Sequence, residues 1–529
     1  MIKIPKSNRL KISTLFLILS SLTACGGSDS GNDQSSYSWV KNEFQSETLF
    51  KNKCASPRPG SIINPYTDKP YPDAQGSLAD EKHWVRSWNN DVYLWYDEVE
   101  DQDPALFSTP VEYFQKALRT LATTPSGQAK DHFSSTIPTE KLNRLIQSGV
   151  SSGYGAKWVI KTNTATGSKG LYVLYSEPES PAAIQELVRG AKVIEVDGIN
   201  LATFSTEAER NTINNGLTPR TLGETHRFKI LDANSSTTRT ISMTSEDVAI
   251  DPVPKTHILS NGTAKVGYLL FNTHIMSSAN ALIESFDYFK QNNINDLILD
   301  LRYNGGGAVT IATLVASLIS GDNTTNGKIF MKSVMNDKHP TIDPFSGEKL
   351  KPRYFYTSNS DGTALPRLGL RRVYVLTGAN TCSSSELVMN GLDGVGVEVI
   401  QIGDTTCGKP YGFVPVDNCS NSYLTINFKG TNNKGLGDYS DGFTPLNGTG
   451  IRDIGIKMKG CVAPDDLTQP LGNSSEKRIA SALYYRDNGS CPDFTEDELK
   501  FKKVETTEEI IESKWLHNAI VTPNNLGFK

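Results

Sequence analysis

The chain has 529 residues, 37% hydrophobic and 21% charged, with a formal net charge of -5. That composition is of an ordinary globular protein with length for about three or four domains. The charge balance excludes the strongly basic character of a nucleic-acid binder or a polybasic membrane-surface protein.

Lys3, Lys6, Arg9 and Lys11 form a positive start, followed by an apolar run over 15–22 and then Leu22-Thr23-Ala24-Cys25. This is the shape of a secretory signal and is too short to span a bilayer. The segment resembles the lipobox of bacterial lipoproteins, which implies a signal peptide over 1–24 and lipidation at Cys25. Residues 25–75 then read as a lipid-anchored tether and N-terminal extension, with a polar, flexible run at 26–36. The expected location is the bacterial cell envelope, membrane-anchored and facing the periplasm or exterior. Gly26 rather than Asp after Cys25 leans toward the outer membrane in Gram-negative sorting. Six further cysteines (Cys54, Cys382, Cys407, Cys419, Cys461 and Cys491) favour disulfides in an exported chain. Both Cys407–Cys419 and Cys382–Cys407 are compatible pairs, and the sequence leaves the choice open.

Residues 76–149 read as a helical N-terminal domain, with Trp84, Trp88, Tyr93, Trp95 and Tyr96 near helical spacing as core and a second helix over 110–121. Residues 150–250 change to short β-runs. Gly153-Tyr154-Gly155-Ala156 precedes a strand, Ser180-Pro181-Ala182-Ala183 opens a short helix, and a strand over 193–196 ends in Asp197-Gly198. These motifs resemble a PDZ domain, although Ala191 replaces the usual aspartate. The resemblance implies capture of a peptide C-terminus by strand addition, with Tyr154, Gly155 and Ala156 at the carboxylate loop. The plain alternative is a small β-domain with no ligand. Residues 251–470 alternate apolar runs at 266–271, 297–301, 373–377 and 397–402 with amphipathic stretches, as a layered α/β domain does. A polar insertion is expected at about 320–370 and a C-terminal helical tail over 471–529.

Two segments carry chemistry. The strand 297–301 runs through Arg302-Tyr303-Asn304 into Gly305-Gly306-Gly307, where glycines let backbone N–H groups aim at a developing oxyanion. Ser383 stands at a strand-to-helix junction in Cys382-Ser383-Ser384-Ser385-Glu386, and Gly408-Lys409 follows within uncharged neighbours. A serine needs a base to become a nucleophile, and a lysine can act as one when burial lowers its pKa. Each position also has a bland reading. Ser383-x-x-Glu386 is a helix capping-box pattern, and a lone lysine is ordinarily a solvated surface residue.

Taken together, 300–307, 383–386 and Gly408-Lys409 resemble the catalytic core of the C-terminal-processing (tail-specific) serine proteases over about residues 80–470. The implied architecture is α+β and multidomain: a helical N-terminal region, a PDZ-like β-domain and a Clp/crotonase-like α/β catalytic domain. The implied activity is serine-type endopeptidase hydrolysis of exported proteins, with Ser383 as nucleophile, Lys409 as base and the N–H groups of Gly306 and Ser384 as oxyanion hole. No cofactor, metal or nucleic-acid partner is expected; the partners are protein or peptide substrates and the membrane holding the anchor. Phe413 departs from the glutamine that often orients the lysine in this family. His132, in Asp131-His132-Phe133-Ser134, is the alternative base by likeness to tricorn-type relatives and is expected to be structural. The rival is a catalytically weak or inactive peptide-binding envelope lipoprotein of the same fold. A phosphate-loop reading of the glycines lacks the Gly-Lys-Ser/Thr ending.

Overall fold

The computed structural model describes residues 37–162, 169–219, 221–261, 264–447, 455–493 and 519–520. The expected signal peptide, Cys25, the 26–36 run and nearly all of the chain beyond 493 lie outside the described residues.

In the N-terminal region, helix α1 (Leu78–Val92) starts at a capping box between Ser77 and Asp80. Trp84 and Trp88 stack at 5.2 Å and pack on Tyr423 of the α/β region. Trp84, Trp88, Tyr93 and Trp95 are core, as expected, whereas Tyr96 is half-buried and Tyr93, Trp95 and Tyr96 lie beyond the helix. Helix α2 (Pro110–Ala117) stops short of 121. The Thr120 N–H turns to the Tyr93 hydroxyl and its side chain to Glu98, which takes the backbone out of helical pairing.

The next region holds strands β1 (Ala156–Thr162), β2 (Lys169–Ser176), β3 (Lys192–Val196), β4 (Thr225–Leu231) and β5 (Thr238–Thr244). They pair antiparallel in the order β5-β4-β3-β2-β1, leaving β1 at the edge. Ser180 caps the short helix α3 (Pro181–Ile184). Helix α4 (Glu207–Leu217) buries Ile213 and Leu217 in the cluster that holds Tyr154, Trp158 and Phe228.

The α/β region is built on a central sheet. Its strands are β6 (Lys255–Asn261), β7 (Ala264–Leu270), β8 (Asp296–Asp300), β10 (Arg372–Thr377), β11 (Glu398–Gly403) and β14 (Gly460–Val462), in that order. From β7 onward every neighbouring pair is parallel. A parallel sheet needs both faces covered, so its strands are continuous apolar runs rather than alternating ones; β8 is buried at every residue. Helices α5 (Ser278–Gln291), α6 (Val309–Ile319) and α7 (Ser384–Val395) cover one face through Leu282, Phe286, Leu314 and Val388. Helix α8 (Lys477–Asn488) covers the other through Ile479 and Ala482. A second sheet orders β9 (Ile329–Met335), β13 (Phe428–Thr431), β12 (Tyr411–Phe413) and β15 (Ala519–Ile520).

The stretch 320–370 is not a mere insertion. Strand β9 anchors the second sheet, and Phe330, Met331, Phe355, Tyr356 and Leu365 enter the main core. Its polar composition hid these widely spaced apolar anchors. The cysteines pair as Cys54–Cys419, Cys382–Cys407 and Cys461–Cys491. Among the described residues, no helix is long and apolar enough to cross a membrane.

Candidate active site

Three loops meet beyond the C-terminal ends of β8, β10 and β11, where an open parallel sheet places its crevice. They carry the glycine turn 304–307, Ser383 and Lys409 respectively. Strands β10 and β11 run in parallel register from Arg372 opposite Glu398 to Thr377 opposite Gly403. The Ser383 and Lys409 loops thus start side by side.

Ser383 sits at φ 59° and ψ -113°, a conformation that L-residues adopt only when their surroundings impose it. Its N–H donates to Glu386 at 2.8 Å. Its Oγ is buried and makes no hydrogen bond among the described residues. Only the Glu386 half of the capping pattern forms, and the hydroxyl is not spent on the helix.

Lys409 is 1% exposed. Its amine lies 4.7 Å from the centre of the Phe413 ring and 4.9 Å from that of Phe133. Burial pushes its pKa down to about 7, against the opposing charges of Asp131 and Glu386. Phe413, the departure from the family pattern, is one wall of the amine's cradle. Two aromatic faces hold an ammonium by cation–π attraction, while exclusion of water favours its neutral form.

Glu386 joins the two loops. It is fully buried and accepts from the N–H groups of Ser383, Gly408 and Lys409 at 2.8, 2.9 and 2.8 Å, and from the Thr406 hydroxyl at 2.5 Å. The Cys382–Cys407 disulfide joins the same loops covalently. Cys382, Glu386 and Cys407 bring three potential ligand atoms together, but sulfurs bonded to each other are not the thiolates a metal takes.

The glycine turn is pinned to the Ser383 loop. Cys382 N–H and the Ser385 hydroxyl donate to the Asn304 carbonyl at 3.1 and 2.9 Å, and the Ser384 hydroxyl to the Gly307 carbonyl at 2.7 Å. A Cβ on Gly306 would stand 2.9 Å from the Ser383 Cβ. The expected role of the Gly306 N–H needs correction, because it donates to Asn304 Oδ1 at 2.9 Å and is occupied in this state. The Gly307 and Ser384 N–H groups have no acceptor among the described residues. Asn304 Oδ1 also accepts from Nδ1 of the fully buried His274 at 2.9 Å, and burial lowers the pKa of that histidine to about 4.

His132 lies at the surface, with Nδ1 2.7 Å from the Ala129 carbonyl and its ring 3.8 Å from that of Phe133. In the β-domain, the Tyr154 and Gly155 carbonyls accept from Ala182 and Glu177 N–H. A trans peptide points its N–H opposite its C=O, so the Gly155 N–H faces away from α3. The loop-joining role of Glu386, the neutral His274, Asn304 and Phe133 escaped the sequence reading. Glu386 was visible there only as a capping residue.

Residues 265–433 match the model of peptidase family S41, and residues 80–135 match that of the peptidase S41 N-terminal domain. The chain is 22% identical over 266 residues to the carboxyl-terminal-processing protease of a Picosynechococcus species, covering 50% of this chain and 56% of the relative. It is 25% identical over 165 residues to the chloroplastic carboxyl-terminal-processing peptidase 2 of Arabidopsis thaliana, covering 30% of each. The chain therefore spans about half, or less, of the length of these curated relatives. A solved structure from Bacteroides fragilis, described as an S41 protease, shares the fold with a TM-score of 0.57 at 21% identity, covering 79% of this chain and 98% of that one. The fold is the layered α/β one of the matched peptidase domain and of that solved structure. The chain carries peptidase family S41 domains over residues 80–135 and 265–433, with homology to carboxyl-terminal-processing proteases.

Proposed function

We propose that the chain is a serine endopeptidase acting through a Ser383–Lys409 pair and an acyl-enzyme. The observation that carries this reading is a lysine amine shut away from water, with a pKa near 7, on a loop tied to that of a strained serine whose hydroxyl is unspent. Neutral Lys409 takes the Ser383 proton as Oγ attacks the peptide carbonyl, then returns it to the leaving amine. Ser384 N–H and Gly307 N–H receive the oxyanion; Gly306 N–H joins only if it leaves Asn304. The edge of β1 and the loop of Tyr154, Gly155 and Ala156 take a substrate C-terminus by strand addition. Lipidation at Cys25 holds the enzyme to the envelope membrane, facing the periplasm or exterior. His132, at the surface, is not the base.

The test is cleavage of an unfolded protein with an apolar C-terminal tail. Ser383→Ala is expected to abolish turnover at unchanged circular dichroism; cleavage by that variant overturns the assignment. Phe413, in place of the glutamine that often orients the lysine, favours a second reading, a peptide-binding envelope lipoprotein of the same fold. Stoichiometric binding of the tail by wild type, with no cleavage, selects it.

A further inference from the structure

We infer that the Cys382–Cys407 disulfide is a positioning device, holding nucleophile loop and base loop at one working separation, so that opening it disables turnover while the fold persists. This rests on the reading of Ser383 and Lys409 above.

The placement carries the argument. Cys382 immediately precedes Ser383 and Cys407 stands two residues before Lys409, so the covalent link spans the two reacting groups by the shortest backbone route. The fold itself does not need it there, because β10 and β11 already pair along their whole length. What the ladder does not fix is the course of residues 378–383 and 404–410 beyond the strand ends. Across that gap run one backbone hydrogen bond, Cys407 N–H to the Thr381 carbonyl at 3.1 Å, the carboxylate of Glu386, and the disulfide. A buried carboxylate is a clamp that water replaces once the loops part. A disulfide is not. The backbone of Ser383 is strained and persists only while over-determined, and Cys382 is one of its two covalent neighbours. Loss of the link relaxes that strain and lets water reach the Lys409 amine.

Cys461–Cys491 supplies an internal control. It ties β14 to the chain following α8, away from the reacting groups, and closes a loop of 30 residues against 25 for Cys382–Cys407. In the chain-entropy account the two links constrain the unfolded chain almost equally. A merely structural role would therefore affect both in the same way.

The experiment compares full-length wild type, Ser383→Ala, the double variant Cys382→Ala/Cys407→Ala and the double variant Cys461→Ala/Cys491→Ala on one fluorogenic peptide. For Cys382→Ala/Cys407→Ala we expect native circular dichroism, kcat down at least about tenfold and KM within about twofold, the size of loss that sub-ångström to ångström misplacement produces. The acidic limb of its pH–rate profile should also move to higher pH, as the amine gains water. Cys461→Ala/Cys491→Ala should melt earlier yet keep kcat within about twofold. Retained kcat in the first double variant, or equal losses in both, overturns the inference. An inactive wild type, or an active Ser383→Ala, instead overturns the underlying catalytic assignment and the inference with it. Should the first double variant misfold, the folded wild type is titrated with dithiothreitol. One thiolate attacks a disulfide sulfur and expels the other, and its second thiol then closes the reagent's own ring, leaving two cysteine thiols. Mass mapping after quenching should show activity falling in step with opened Cys382–Cys407 and returning on reoxidation. Loss that tracks either other disulfide overturns the inference.

Discussion

Lys409 is made unusual by its surroundings rather than by its type. An ordinary lysine near pKa 10.5 is almost wholly protonated at neutral pH and cannot accept a proton, whereas burial brings this one to about 7. Below pH 7 the neutral, base-competent fraction then falls about tenfold per unit. kcat/KM is thus expected to rise with pH to a plateau, with a midpoint near 7, and Lys409→Met should flatten the profile near zero. A rate profile measured from pH 5 to 9 checks both; a midpoint above 9 would mean the amine is solvated in the working enzyme. The linkage to stability has a definite sign. The unfolded chain binds a proton that the folded chain rejects between about pH 7 and 10.5, so burying this amine costs most below 7 and the cost fades as pH rises through that window. The same variant should therefore raise the melting temperature more at pH 6 than at pH 9.

At the scale of the element, β8 and its glycine turn work as one unit. The strand delivers the chain to Asn304, whose side chain receives His274 Nδ1–H and Gly306 N–H while its carbonyl receives Cys382 N–H. Gly306 lies at φ 105°, and a Cβ there would stand 2.9 Å from the Cys382 carbonyl oxygen and 3.0 Å from Ser384 N. Gly306→Ala therefore combines a disfavoured backbone angle with collision against the Ser383 loop. We expect it to lower kcat by at least about 100-fold through loss of oxyanion stabilisation, with a stability loss of about 1–3 kcal/mol from the strained backbone. Steady-state kinetics beside a urea melt checks this, and wild-type kcat in the variant would remove the turn from the chemistry. The sequence made this unit legible because β8 is a continuous apolar run and the glycines break it sharply. Strand and helix positions around Ser383 were legible for the same reason. The role of Glu386 was not, because a carboxylate at the third position of a helix reads as a cap until Thr406, Gly408 and Lys409 are seen to converge on it. His274 gave no signal either, since a lone histidine in a polar stretch has no periodicity to place it against Asn304. The stretch 320–370 misled for the opposite reason: its apolar anchors are too far apart to form a pattern, yet they meet in the core.

For the whole molecule, the regions lock together through a buried ionic cluster behind the glycine turn. Arg302, with no exposed side-chain surface, pairs with Asp300 of β8, with Asp465 and with Glu476 at the start of α8. Arg189 of the β-domain reaches Asp465 at 2.6 Å and the Tyr303 hydroxyl at 2.5 Å. One cluster thus fixes the β-domain, the end of the strand that leads into the site and the helix covering the sheet's far face. Two arginines face three carboxylates, so the cluster tolerates no loss of positive charge. Replacing a buried partner strands the others without compensation, which costs about 3–5 kcal/mol. Arg302→Met is therefore expected to lower stability by about that amount. Arginine beside it holds the Glu476 carboxyl below its ordinary range, so its share of stability is present above that range and is lost as pH falls through the depressed folded value. Urea melts at pH 7 and pH 4 distinguish the parts. Wild type should lose stability toward pH 4 and below, and Arg302→Met should lose less over the same interval because Glu476 is no longer held ionised by Arg302. If Arg302→Met unfolds at the wild-type urea concentration at pH 7, the cluster does not hold the regions together, and the β-domain must be docked by its apolar contacts alone.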